Sequence, residues 1–503
     1  MRRLLQRQEI KIAGTVIAGY WFSLWGLPDL AALLAILVAV FTVAMVSIRL
    51  AVSLLPDKTP RVVEVEGEPF VSIHLPTYSE PPAVVIKTLE SLNELDYEAF
   101  EVIVLDNNTP DPELYEPVRK HCEKLGSKFR FFHYDDVQGA KAGALNISLD
   151  LSHPETEYIV VLDADYACLP HLLKTGVKHF ISEDVGLVQF PQAYRNSDES
   201  CGLTLEYKHF FDVYMNLANR AKTVLSTGTA AFIRKSALEA SGRWCGHTLT
   251  EDAELGLRFH LEGFRVVYVP EVVAAGLMPT DAKSFKEQRR RWIVGNAQSV
   301  GTVLRSSELS WKQKGCMLLQ LTAWTAPLTL PVFQLAMAGV VNSFTSHPSV
   351  DIAAASALFS IAFYLLGTAL VFLIAGLRSG FGAIVSLKAF LAHLGTLTEA
   401  SLSWGEIFVD DDFEFVRTDK FIQTSRKGAL NLSLGLAVVA SGLGFTVLNQ
   451  PNLALIGLWM VATSAAVGQA YLRWNLHQIR DRTVALQQAE RHVGGPMLEN
   501  VVF

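Results

Sequence analysis

The apolar residues of this chain fall into three regimes. Residues 12–27 and 30–55 form two nearly unbroken apolar runs, with Gly26-Leu27-Pro28-Asp29 at their junction. The second run is long enough to cross a bilayer, which takes about 20 apolar residues. Together the runs predict a membrane hairpin rather than a cleaved leader, because no small-residue cleavage site precedes the second run. From about residue 56 to residue 309 the apolar runs become short. Residues 70–75, 102–105, 129–133 and 158–162 are β-branched or aromatic and read as strands. Residues 83–95 and 111–125 between them read as helices. Such alternation predicts an α/β domain with a mostly parallel sheet. Beyond Trp311 long apolar runs return. Residues 317–341, 353–377, 430–448 and 453–472 are predicted spans, with Pro327 and Pro331 kinking the first. Residues 304–314 and 381–404 are mixed in character and are expected as helices lying in the interface. Lys388, His393 and Glu399 oppose a full crossing by the second of these.

Charge sharpens this three-part organisation of residues 1–55, 56–309 and 310–503. Only 18% of the residues are charged, against roughly 25% in soluble globular domains, so a membrane protein with a sizeable polar middle is expected. The turns near Pro28, 346–351 and 449–452 carry no Lys or Arg. Arg378, Arg417, Lys420, Arg426, Lys427, Arg473, Arg480 and Arg482 lie on the other side of the proposed spans. This is the positive-inside pattern. Two spans before the polar domain and four after it would place every polar segment in the cytoplasm, beneath the plasma (inner) membrane. The net charge of -7, with no basic tract, excludes a nucleic-acid partner. Five cysteines without a C-x-x-C spacing argue against a zinc site or a disulfide framework.

Ligands of parallel α/β sheets bind beyond the carboxyl ends of the strands, and the chemical residues cluster there. The first strand is followed by Pro76-Thr77-Tyr78-Ser79-Glu80, the second by Asp106-Asn107-Asn108-Thr109, and the fourth by Asp163-Ala164-Asp165. Lys141 stands between the third and fourth. Two carboxylates flanking a small residue can hold Mg²⁺ or Mn²⁺, which prefer hard oxygen ligands, although a lone D-x-D often merely ends a strand. Further on stand Thr250-Glu251-Asp252 and Gln288-Arg289-Arg290-Arg291-Trp292. A carboxylate can take a proton from a hydroxyl. Arginines can hold a diphosphate by forked hydrogen bonds, and an indole face can stack on a sugar ring. Each has a plainer use. The TED triplet also reads as a helix start, Trp292 as an interfacial anchor, and Asn107 and Asn108 as turn residues.

Taken in order, these motifs resemble the processive, membrane-integrated family-2 glycosyltransferases: the cellulose, chitin and hyaluronan synthases and their relatives. The resemblance implies a cytosolic GT-A (Rossmann-like) α/β catalytic domain inserted in an α-helical transmembrane bundle. It makes Asp252 the general base. Thr77, Tyr78, Glu80, Asp106, Lys141, Asp163, Gln288 and Arg291 become donor contacts, and Trp292, Gly228, Thr229 and Glu251 acceptor contacts. Asp165 becomes the direct metal ligand, with Asp163 beside it, and Gln189-Phe190-Pro191-Gln192 a lining of the donor pocket. Asn107 departs from the family, which often has a second acid there. Phe415, Thr418 and Lys420 resemble a gating loop, with Arg417 in place of a valine. The implied function is an inverting, processive β-glycosyltransferase using a UDP-sugar, foremost UDP-glucose for a β-glucan, with Mg²⁺ or Mn²⁺ as cofactor. It would extend a growing polysaccharide acceptor, translocate it across the bilayer, and leave room for accessory export proteins. No cyclic-di-GMP-binding tail is implied after the last span. A non-processive glycolipid transferase would lack Q-x-x-R-W and the downstream helices. A mannan or N-acetylhexosamine polymer stays open, and a degenerate transport or structural protein would have lost the acids.

Overall fold

The computed structural model describes Gly19, Ser23 and residues 25–56, 60–64, 67–408 and 453–492. The expected loop with Phe415, Thr418 and Lys420, the span 430–448 and most of the first apolar run lie outside the described residues.

The first helix, α1 (Pro28–Ser53), is followed by β1 (Val71–Thr77), α2 (Pro82–Asn93), β2 (Phe100–Asn107), α3 (Pro112–Leu125), β3 (Phe129–Tyr134), α4 (Ala140–Leu151) and β4 (Tyr158–Val161). The strands β1 to β4 and the helices α1, α2 and α3 are those that the hydrophobic pattern predicts, shifted by a residue or two, and α4 is an addition to them. Asp111 starts α3 by accepting a hydrogen bond from the Glu113 amide at 2.9 Å. Next come β5 (Ala167–Cys168), α5 (Leu172–Val177), β6 (Val185–Gln189), β7 (Ala193–Tyr194), α6 (Gly202–His209), a π-helical turn Phe210–Met215 and α7 (Asn216–Ala221). Then follow β8 (Ala231–Arg234), α8 (Lys235–Ala240), α9 (Glu251–Leu261), β9 (Arg265–Tyr268) and β10 (Ala274–Gly276).

Seven strands form one sheet in the order β3-β2-β1-β4-β8-β6-β9, and β5-β10-β7 form a small second sheet. The pairings β1–β2, β2–β3, β1–β4 and β6–β9 are parallel, and β8 runs antiparallel between β4 and β6. Successive side chains of a strand point to opposite faces. Tyr158 and Val160 accordingly pack with Val71, Ile73 and Leu75 on one face, while Ile159 and Val161 pack with Leu187, Ala231 and Ile233 on the other. Both faces are covered, which is why the strands read as short apolar runs.

The chain continues as α10 (Ala282–Arg305), α11 (Trp311–Leu321), α12 (Thr329–Asn342), α13 (Pro348–Arg378), α14 (Ala383–Leu394), α15 (Leu397–Leu402) and, after a 3₁₀ turn Ser403–Phe408, α16 (Leu453–His492). Among the described residues three helices are long and apolar enough to cross a membrane: Pro28–Ser53, Pro348–Arg378 and Leu453–Gln487. Small side chains let α1 and α13 approach closely: Ala31 and Ala35 meet a surface with Ala353, Ala354 and Ala357.

Two expectations change here. Residues 317–341 are not one kinked span but two helices, α11 and α12, separated at 322–328. Pro327 lies in the break, where it lacks the N–H that would continue the helix. The side chain of Arg49 on α1 donates to the freed carbonyls of Thr322 at 2.8 Å and Thr325 at 3.3 Å. Pro331 sits in the first turn of α12, where a missing N–H costs nothing. Residues 304–314 likewise belong to two helices, because α11 has its own start, a capping box between Ser310 and Gln313. Residues 381–404 form short helices; α14 has only 12 residues.

Candidate active site

A cavity of about 640 Å³ opens at the carboxyl ends of β1, β2 and β4. Its walls include Thr77, Tyr78 and Glu80 after β1, Lys141 on α4, and Asp163 and Asp165 after β4. Gly228, Glu251 and Asp252 close a second side, and Gln288, Arg291 and Trp292 a third. Residues scattered over more than two hundred positions thus meet because the strand ends converge.

The helix α10 explains the Q-x-x-R-W spacing. Gln288, Arg291, Trp292 and Gly295 stand at i, i+3, i+4 and i+7, on one helical face. Asp281 fixes the start of this helix by accepting from the amides of Lys283 and Ser284 at 2.9 and 3.0 Å. At Gly295 the face touches the start of α9: a Cβ there would lie 2.7 Å from atoms of Thr250. The TED triplet does begin a helix, as expected, but Thr250 caps nothing with its side chain. Its hydroxyl is buried beneath α10 without a hydrogen-bond partner among the described residues.

Electrostatics single out Asp252. Burial, and then the neighbouring charge of Glu251, push its carboxyl up to about 7, against a smaller opposing pull from Lys141. The Lys141 ammonium donates to Asp163 at 2.7 Å and to the Gly228 carbonyl at 3.1 Å, and lies 3.9 Å from Glu251. Burial would lower its pKa, yet the charges of Asp163 and Glu251 outweigh this and raise it. Arg291 is drawn down by burial against the pull of Glu251 and Asp163. Gly228 has φ +83°, and a Cβ there would meet the Asp252 carboxylate at 2.6 Å. This backbone must be bare for Asp252 to keep its place.

The three arginines of the motif divide. Arg291 lines the cavity. Arg290 pairs with Glu287 at 2.9 Å and with Glu406 at 2.5 Å. Arg289 is not on a membrane-facing surface: it is fully buried, paired with Glu206, and lies over the rings of Trp324 and Tyr207 at 3.8 and 4.2 Å. Tyr207 in turn donates to the Gln288 side-chain oxygen at 2.6 Å. Nothing in the local sequence of Glu206, Tyr207 or Trp324 announces this support, because its members come from α6, α10 and the break between α11 and α12.

Two expected contacts stand behind the wall rather than in it. Thr229 is 0% exposed, and its hydroxyl accepts from the Asp163 amide at 3.1 Å. Asp106 is 3% exposed, and its carboxylate accepts from Thr77, Thr109 and His133 at 2.9, 2.8 and 2.8 Å. Burial alone would lower His133, but its hydrogen bonds to Asp106 and Asp135 outweigh that and raise it. Gln192 lines the cavity, whereas Gln189 is fully buried and holds Ser226, Thr227 and Thr229 through its amide.

Asp163 and Asp165 present oxygen donors alone. The Asp163 side chain is 35% exposed toward the cavity, and Asp165 is anchored by the Leu277 amide at 2.6 Å. That donor set fits a hard divalent cation whose remaining ligands come from a substrate and water.

A second, aromatic cavity of about 60 Å³ adjoins the first. Trp292, Trp324, Tyr207, Phe210 and Phe211 line it, and it shares Gln192, Thr227, Thr250, Asp252 and Trp292 with the larger one. A third of about 20 Å³ shares Phe210 and Trp324 with the second and reaches Arg49, His209, Thr368 and His393 among the membrane helices.

A mixed, mostly parallel sheet gathers acids at its carboxyl edge, and comparison with known proteins names the class. Residues 158–377 match the model for Glycosyl transferase family group 2, and residues 72–242 match Glycosyl transferase family 2. The chain carries a family-2 glycosyltransferase domain of GT-A-like, mixed-sheet fold, joined to candidate membrane helices. It is homologous to plant glucomannan mannosyltransferases. It is 28% identical over 255 residues to glucomannan 4-beta-mannosyltransferase 1 of Oryza sativa subsp. japonica, covering 48% of each chain. It is 28% identical over 262 residues to glucomannan 4-beta-mannosyltransferase 7 of Arabidopsis thaliana, covering 49% of this chain and 47% of that one. The match thus spans about half the length of these relatives. Among solved structures, the mannosyltransferase PcManGT from Pyrobaculum calidifontis, in complex with GDP-Man and Mn2+, aligns with TM-score 0.52 at 20% identity, over 70% of this chain and 98% of that one; this likeness is one of fold.

Proposed function

We propose that this protein is an inverting, metal-dependent hexosyltransferase of the membrane that adds β-linked sugars from a nucleoside diphosphate sugar to a growing polysaccharide. One observation carries the reading: a polar cavity bearing Asp163 and Asp165 meets an aromatic one at Asp252 and Trp292. A donor in the first and an acceptor sugar in the second would touch at the carboxylate. Asp252 takes the proton of the acceptor hydroxyl as its oxygen bonds to the anomeric carbon, the bond to the diphosphate breaks, and the nucleoside diphosphate leaves. Arg291 holds the leaving group, and Trp292 supports the acceptor ring. Asp163 and Asp165 would hold Mg²⁺ or Mn²⁺, which offsets the diphosphate charge.

The relatives' names, glucomannan 4-beta-mannosyltransferases, favour mannose over the expected glucose as the transferred sugar, and GDP-mannose is the mannosyl donor set against UDP-glucose in the test. The product would leave through the membrane helices, with the catalytic domain on the basic, cytoplasmic side. The test offers full-length protein in lipid nanodiscs GDP-mannose or UDP-glucose, with Mn²⁺ or Mg²⁺. Release of GDP with a β-1,4-mannosyl product is expected. Release of UDP alone, with glucosyl product, would return the donor to glucose, and release of neither nucleotide would defeat the transferase reading.

A further inference from the structure

Asp165 owes its place to the small sheet. It is 4% exposed, and one carboxylate oxygen accepts from the Leu277 amide, just past β10, at 2.6 Å. Two residues after Asp165 the strand β5 begins and pairs with β10, Ala167 with Ala275 and Cys168 with Ala274. β7 pairs with the same β10 through Ala193 and Tyr194. A Cβ on Gly276 would strike the ring of Tyr166, the residue after Asp165. Where Asp165 stands therefore depends on where β10 and the two residues after it are held.

Asn196, two residues past β7, holds the second of them. It is fully buried. Its side-chain oxygen accepts from the Met278 amide at 2.9 Å, and its nitrogen donates to the Met278 carbonyl at 3.0 Å. The other hydrogen of that nitrogen goes to the Thr483 hydroxyl on α16, also at 3.0 Å. Thr483 is buried and spends its own proton on the Ile479 carbonyl at 2.8 Å, so toward Asn196 it acts as acceptor. Thr483 stands 30 positions beyond Leu453, about 45 Å along the helix, whereas a hydrocarbon core is about 30 Å thick. This candidate span thus reaches past the bilayer to the small sheet. It packs there through Leu472, Leu476 and Ile479 against Tyr194, Met278 and Phe285. The Cys201 thiol donates to Asn475 at 3.2 Å, and Arg482 pairs with Asp198.

We propose that Asn196 and Thr483 are positioning residues for the metal site. The far end of α16, through the Asn196 amide and the Leu277–Met278 backbone, sets where the Asp165 carboxylate stands and so how tightly a divalent cation is held. This inference rests on the metal reading above. Every link of the chain from Thr483 to Asp165 is a hydrogen bond between buried groups. Removing the Thr483 acceptor leaves a buried Asn196 N–H unpaired, and the amide gains by turning away from Met278 to satisfy it. Leu277, the next residue, would move with Met278. The membrane part of the chain thereby has a direct hold on the cation site of the polar domain.

The experiment titrates Mn²⁺ into the full chain in phosphatidylcholine nanodiscs, alone and with inorganic diphosphate, and follows the free ion by electron paramagnetic resonance. Wild type, T483V, T483S and D165A are compared. T483V keeps the shape of the side chain and removes the acceptor. It should weaken Mn²⁺ binding by roughly three- to tenfold, the worth of one lost hydrogen bond. The Mn²⁺ concentration for half-maximal transfer should rise by the same factor, while kcat at saturating Mn²⁺ and the metal-free melting temperature stay at their wild-type values. T483S, which restores the hydroxyl, should restore the affinity. Wild-type Mn²⁺ affinity in T483V overturns the proposal and leaves the metal reading intact. A lower melting temperature or kcat with unchanged Mn²⁺ affinity overturns it too, since that marks a contact serving stability alone. Equal Mn²⁺ binding by wild type and D165A in both series overturns the metal reading and this proposal together.

Discussion

Asp252 is the residue on which the chemistry turns, and its surroundings make a pH prediction. A carboxyl group raised to about 7 by burial and Glu251 accepts a proton well only above that pH. The value of kcat/KM should fall about tenfold per pH unit below roughly pH 7, because a general base works in its deprotonated form. D252N should cut turnover by about 10²–10⁴-fold while nucleotide binding survives. Stability has a definite sign. A carboxyl whose pKa is raised on folding stabilises the fold while protonated, and that contribution is lost as pH rises from the unfolded value of about 4 through 7. D252N, which cannot ionise, should raise the melting temperature more at pH 8 than at pH 5. Equal shifts at both pH values would show that Asp252 does not ionise across this range. Much at this scale was legible in the sequence, since acids that follow strands and acids that open helices announce themselves. Asp106 and Thr229 were misplaced because a motif reports position along a strand and not which way a side chain is spent.

At the scale of elements, the site depends on how closely α9, α10 and the loop at Gly228 approach. Gly228→Ala would force a Cβ to within 2.6 Å of the Asp252 carboxylate. A displacement of about 1 Å can cost on the order of 100-fold in rate, so G228A should lose about that in kcat and keep its affinity for nucleotide. Wild-type turnover in G228A would show that Asp252 need not hold this position. Hydrophobic periodicity gave β1 to β4 to within a residue or two, helped by the burial of both faces of β1, β2 and β4. It missed the break at 322–328, which needs Arg49 from a distant helix to satisfy the carbonyls of Thr322 and Thr325. An apolar run alone cannot show such a partner.

Across the whole molecule, the strand ends supply Asp163 and Asp165, while α6, the π-helical turn, α10 and the segment after α11 supply the aromatic wall. The two halves join through Arg289, whose pairing with Glu206 and stacking on Trp324 fasten the α10 face to α6 and to the segment between α11 and α12. Chelation tests the polar half: EDTA should abolish transfer and added Mn²⁺ should restore it, while D165A stays inactive with metal in excess. Full activity in chelator would make the Asp163 and Asp165 pair purely structural. The joining of the halves was not legible in the sequence, since it rests on contacts between residues dozens of positions apart. The central claim is single displacement by a hydroxyl that Asp252 deprotonates, with no covalent sugar–enzyme stage. Its most direct measurement is the anomeric configuration of the first product formed from an α-linked nucleotide sugar, followed by NMR. The account predicts a β-linkage, and an α-linkage at first appearance would contradict it.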